Sequence, residues 1–157
     1  MVVVDDSSRL TVDVIKAVRT PVSPSFARAV LTRTASLPEV AARLPDGPCS
    51  VAVRITGDRE LRRLNKLYAG TDSVTDVLSF AGSQDHLGDL AISWAMVVRQ
   101  AAEHRHPPAT EFALLCVHGL LHLLGWDHAS PAARKEMTRL TVSALELSGL
   151  ELASGRL

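Results

Sequence analysis

The chain has 157 residues, enough for one core and short for two domains, with 46% hydrophobic and 22% charged residues, which excludes a disordered chain. Its formal net charge is zero, so no overall field draws it to a polynucleotide, and any nucleic-acid contact must come from local charge. Cys49 and Cys116 are its only cysteines, too few for a disulfide framework, and the start MVVVDDSS lacks the basic and apolar regions of a signal peptide.

The elements follow in chain order. LTVDVIKAV (10–18) alternates Val12, Val14 and Val18 on one side and predicts a strand. Ser23-Pro24 is an N-cap and first-turn pair for a helix carrying Phe26, Val30 and Leu31, interrupted or ended by Pro38. PDGP (45–48) is a turn, and SVAVRIT (50–56) a second strand. Asp58 is placed to cap a helix through ELRRLNKLY, with Leu61, Leu64 and Tyr68 on one face. TDVLSF (75–80) and HLGDLAIS (86–93) read as two short strands joined by a turn. Ser93 starts a helix to about Arg105, and HPP (106–108) breaks the chain. The next helix opens at Thr110 and Glu111 and stops at Gly125. Ser130-Pro131 caps a last helix with Met137, Leu140, Leu145 and Leu147 as core contacts. The expectation is one α+β domain over residues 1–157. It holds about four strands in a mixed sheet and about five helices, with a metal site on a central helix and the loop after it.

Charge is uneven along the chain. Residues 54–66 carry Arg54, Arg59, Arg62, Arg63 and Lys66 against Asp58 and Glu60, a net +3. Residues 70–93 carry Asp72, Asp76, Asp85 and Asp89 with no Lys or Arg, a net −4. Both stretches read equally as solvated surface.

HGLLHLLGWDH (118–128) carries the chemistry. His118 and His122, at i and i+4, share one helix face. Gly125 lets the backbone turn, so that His128 can swing to the same point. Three neutral imidazoles and a water make an open tetrahedral zinc site, although nickel, copper or iron would also suit them. Such an ion lowers the pKa of bound water to about 7 and polarises a phosphoryl or carbonyl oxygen. His86, His104 and His106 read as ordinary polar residues.

The spacing matches the metzincin protease pattern, in which a Glu after the first His is the general base. Here that position is Gly119, which moves no proton. The ligands are kept and the peptidase base is missing. RNA is a substrate that suits this, because its 2′-hydroxyl is its own nucleophile.

These motifs resemble the YbeY-type bacterial rRNA maturation factors, described as metal-dependent, single-strand-specific endoribonucleases. The resemblance rests on HGLLHLLGWDH, where that family usually has Tyr in place of Trp126. It rests also on TDVLSF, HLGDLAIS and Leu64-Asn65, and it covers roughly residues 50–140. It implies one zinc per chain held by His118, His122 and His128, and an RNA-facing cleft beside TDVLSF. It implies a role in 16S rRNA 3′-end maturation and ribosome quality control, with ribosomal particles and possible ribosomal proteins as partners. A cytoplasmic location without a membrane follows in the same way.

The chain departs from the family where Ala69 replaces an arginine, Thr71 a lysine and Val74 a proline. A guanidinium at 69 would neutralise transition-state phosphate charge. Arg62, Arg63 and Lys66 on the preceding helix are the expected RNA-binding substitutes. Asp127 is either a proton acceptor beside the metal or a turn former, and Ser79 and Thr75 offer hydroxyls to phosphate or serve only the strand. Asp76 reads as a turn cap, Glu111 as a first-turn carboxylate and Cys116 as core. The alternatives to a metal-dependent endoribonuclease are a ribosome assembly factor with weak or no nuclease activity and a zinc metallopeptidase.

Overall fold

The computed structural model describes residues 9–69 and 76–157, without the side chain of Ala69. Residues 1–8, the whole of MVVVDDSS, and Thr71, Val74 and Thr75 therefore lie outside it, as does the side-chain environment of Ala69.

Four strands form one mixed sheet in the order β1-β2-β4-β3. Strands β1 (Leu10–Lys16), β2 (Cys49–Thr56) and β4 (His86–Ser93) are parallel, and β3 (Val77–Ala81) returns antiparallel along β4 as an edge. Six helices complete the described chain: α1 (Pro24–Ala35), α2 (Pro38–Ala41), α3 (Asp58–Ala69), α4 (Trp94–His104), α5 (Pro108–Leu123) and α6 (Pro131–Leu147). The predicted α+β class and mixed four-stranded sheet stand, with a sixth helix where Pro38 opens a short turn of its own instead of ending α1.

The caps read from the sequence are in place. Ser23, Ser93 and Ser130 each accept a hydrogen bond from the backbone N–H three residues on, at 3.1, 3.2 and 3.0 Å. Asp58 does something else. It is the first residue of α3, and its carboxylate accepts from Ser93 Oγ at 2.5 Å and Arg99 at 2.8 Å, tying α3 to the start of α4.

The two faces of the sheet are unequal. Val51, Val53, Ile55, Leu90 and Ile92 are fully buried and share one core with α1, α5 and α6. The alternate residues Arg54, Asp89 and Ala91 face α3 across an open cavity of about 640 Å³. The expected core places differ in two instances: Tyr68, at the rim of that cavity, is 70% exposed, and Leu147, the last residue of α6, is 47% exposed. Among the described residues no helix is long and apolar enough to cross a membrane.

Candidate metal centre and its surroundings

Helix α5 is apolar almost all round and is buried through its length. Its approach to the sheet is tight at Gly119. A Cβ there would stand 2.7 Å from Leu90 Cδ2, 2.9 Å from Cδ1 and 3.2 Å from Cγ. Leu90 is itself 1% exposed, so a larger residue at 119 would have to displace a buried side chain. The residue after the first histidine therefore faces β4 from inside the core. The position that holds the peptidase base in metzincins cannot present a carboxylate to a metal in this packing.

The C-terminus of α5 closes as a Schellman motif. Gly125 takes φ +97°, its N–H donates to the His122 carbonyl at 3.0 Å, and the Trp126 N–H donates to the Leu121 carbonyl at 3.0 Å. Trp126 is buried, in keeping with the apolar contact that accompanies such a cap. The guanidinium of Arg43 lies 3.7 Å from the Trp126 ring centroid and donates to the Leu124 carbonyl at 3.1 Å. This reversal returns His128 to the helix.

The three histidines converge. The His128 ring centroid is 4.8 Å from that of His122 and 6.1 Å from that of His118. Imidazoles sharing one tetrahedral zinc, with Zn–N of about 2.0–2.1 Å, place their centroids roughly 5 Å apart. As the side chains stand, no three His, Cys, Asp or Glu among the described residues form a closed ligand group. Burial, then the neighbouring His128 and His122, pushes His118 down to about 4. Burial and His128 also lower His122, against a hydrogen bond to the Trp126 backbone and the charge of Asp127. Neutral rings keep a lone pair free for a cation, and a ring hydrogen bond of the kind His122 makes fixes which nitrogen offers it. The donor set fits a divalent transition metal.

Other predicted residues sit around this cluster. Asp127 is exposed and accepts from the Ala129 N–H at 3.0 Å, so it forms the turn, while its charge also reaches His122. Ser79 stands opposite Leu90 in the β3–β4 register, on the sheet face that α5 covers. Asp76 caps the start of β3, accepting from the Val77 N–H at 2.8 Å. Arg62, Arg63 and Lys66 lie on α3, across the opposite face of the sheet from α5, and Arg63 pairs with Glu60 at 3.8 Å. Cys116 is fully buried, and burial pushes its thiol far up.

Glu111 holds more than a first-turn place. It is fully buried, and Arg156 grips it with two bonds of 2.9 and 2.6 Å. His106 approaches its Oε1 at 2.7 Å and accepts from the Ala153 N–H at 3.2 Å, so its Nε2 carries the donated proton. With its amide nitrogen turned toward the two carboxylates, Gln100 donates to Glu111 at 3.0 Å and to Asp76 at 3.3 Å. Burial pushes the Glu111 carboxyl up, but Arg156 and His106 together hold it below its usual range. His106 is thus a buried partner, not an ordinary surface residue. Nothing local in the sequence signals this network, since Arg156 is 45 residues away along the chain.

A family model described as Endoribonuclease YbeY matches residues 19–149. An Endoribonuclease YbeY of Roseiflexus sp. (strain RS-1) is 47% identical over 117 residues, covering 66% of this chain and 73% of that protein. One of Chloroflexus aurantiacus (strain J-10-fl) is 42% identical over 134 residues, covering 77% and 86%. In fold, the chain is similar to the solution structure of TM1509 from Thermotoga maritima, with a TM-score of 0.61 at 20% identity over 94% of this chain and 100% of that one.

Proposed function

We infer that this chain, which belongs to the endoribonuclease YbeY family, cuts single-stranded RNA at a metal centre held by His118, His122 and His128. The observation that carries this reading is the convergence of three imidazoles, two of them held toward the neutral form, beside a Gly119 that removes the peptidase base. A zinc ion bound there would supply Lewis acidity toward a phosphodiester oxygen and a more acidic water.

The chain's own residues do the rest. The Schellman turn at Gly125 and the Arg43–Trp126 stack fix His128 relative to the α5 pair. Asp127 is an exposed carboxylate next to His128 whose charge reaches His122, and in this reading it is the proton acceptor. The Ser79 hydroxyl, exposed on the edge strand β3, offers a hydrogen bond to a phosphate lying along that strand. A strand reaching Arg62, Arg63 and Lys66 as well would have to round that edge. The likeness to rRNA maturation factors extends the reading to ribosomal RNA in the cytoplasm, with ribosomal particles as the setting.

The test is cleavage of an end-labelled single-stranded RNA by the purified protein, beside His122→Ala and a chelated sample. Cutting by the parent alone supports the reading. Cutting that persists in both controls overturns the metal centre, and no cutting by a metal-loaded parent favours an assembly factor instead.

A further inference from the structure

A second cleft, of about 410 Å³, opens beside His128 and is lined by Ser130, Pro131, Arg134, Lys135, Thr138 and Leu157 as well. Positions 131, 134, 135 and 138 form one stripe at helical spacing along the first turns of α6. The opposite stripe, with Met137, Leu140 and Ala144, is buried. The stripe is therefore a true outer face that the fold leaves to solvent, and it ends at a metal-site histidine.

Several cations elsewhere on the molecule are paired with carboxylates. Arg54 and Arg63 pair with Glu60, Arg99 with Asp58 and Arg156 with Glu111. One turn further along α6, Arg139 pairs with both Glu39 and Glu136. Arg134 and Lys135 are both exposed and have no carboxylate partner among the described residues. Glu136, the acid next to them in sequence, is turned away to Arg139. Two adjacent positive charges that no carboxylate side chain among the described residues pairs repel each other, and an anion in the cleft would relieve that.

We propose that the Arg134–Lys135 face of α6 binds the phosphates of the RNA strand on one side of the scissile bond. The inference rests on the endoribonuclease reading and deepens it, since the cleft is continuous with His128. It moves the principal backbone grip from α3, on the far face of the sheet, to α6, on the same side as the histidines. A single strand suits a narrow cleft of this kind, and cations facing only the backbone would read no base sequence.

The experiment is the salt dependence of binding of a labelled single-stranded RNA under chelation, so that the strand stays whole, for the parent and for Arg134→Ala/Lys135→Ala. Arg33→Ala serves as a comparison, because Arg33 bonds to Ser148 at the far end of α6. The double variant is expected to bind roughly 10- to 30-fold more weakly at 0.1 M salt, with its log–log salt slope shallower by about 0.7 for each phosphate it no longer neutralises. A circular dichroism melt that matches the parent would show that the fold is kept. Affinity and slope equal to the parent's overturn the proposal, as does an equal loss per charge from Arg33→Ala, which would reduce the effect to net charge. If the parent neither binds nor cuts RNA, the endoribonuclease reading falls and this inference falls with it. If the parent binds and the double variant binds equally well, only the location is wrong.

Discussion

Gly119 of α5 lies against Leu90 of β4 so closely that a single added methyl would enter the Leu90 side chain. The contact sets the depth at which α5 sits on the sheet, and so the height at which His118 and His122 emerge. Gly119→Ala is expected to destabilise the protein by about 1–3 kcal/mol, the range for overpacking a filled core. Urea unfolding measures it. Shortening the neighbour, in Gly119→Ala/Leu90→Ala, should recover part of the loss, and a double variant no more stable than the sum of the two singles would refute the contact as the cause.

Much of this site is legible in the sequence because its determinants are local. The i, i+4 histidines, the glycine that turns the chain and the serine caps each act within a few residues, so spacing alone places them. Long-range partners are another matter. That Gly119 is a packing residue depends on Leu90, and the roles of Glu111 and His106 depend on Arg156, contacts that no periodicity announces. Tyr68 continues the Leu61 and Leu64 stripe of α3 and meets Phe80 of β3 at 5.2 Å, yet it stays 70% exposed because the space between α3 and the sheet is open there, which pattern does not tell. Arg62 and Arg63 read as an RNA grip from charge alone, and charge does not tell that their helix packs over the Arg54, Asp89 and Ala91 face of the sheet.

The Glu111–Arg156 pair fastens the segment after α6 to the first turn of α5. Glu111 is 0% exposed, so removing Arg156 leaves a buried carboxylate held only by His106 and Gln100. Arg156→Ala is therefore expected to cost about 3–5 kcal/mol, whereas removing both charges in Glu111→Leu/Arg156→Leu should cost much less. The pair also titrates. Because the folded protein holds Glu111 below its ordinary carboxylate value, its contribution is present above that value and is lost as pH falls through the folded one. Unfolding free energies at pH 7, 5 and 3 should fall less steeply for Glu111→Gln than for the parent. Parallel pH profiles would show that the network contributes nothing to acid sensitivity.

A metal that binds the folded histidine cluster and not the unfolded chain must raise the melting temperature by mass action. Zinc at 100 times its dissociation constant should add about 2.7 kcal/mol. The check is differential scanning calorimetry of metal-stripped protein with and without added zinc, beside bound-metal analysis after dialysis. One ion per chain and an upward shift are expected, both lost in His118→Ala and His122→Ala. A shift that survives in those variants would locate the ion elsewhere.

The Arg43 guanidinium, stacked on Trp126 and bonded to the Leu124 carbonyl, braces the loop that carries His128 from outside the motif. Trp presents the strongest aromatic face to a cation, and a partly exposed contact of this type contributes roughly 0.5–1 kcal/mol. The global loss in Arg43→Ala should therefore be small. The effect on metal affinity should be larger in proportion, because His128 reaches the cluster only while the loop holds its turn. Arg43→Lys keeps the charge but loses the flat stack and the fork of donors, so it should restore little. Competition with a chelating dye, read beside the melting temperature, separates the two effects. Weaker zinc binding with a nearly unchanged melt is the expected result, while equal zinc affinity in parent and Arg43→Ala would mean that the Schellman turn alone positions His128.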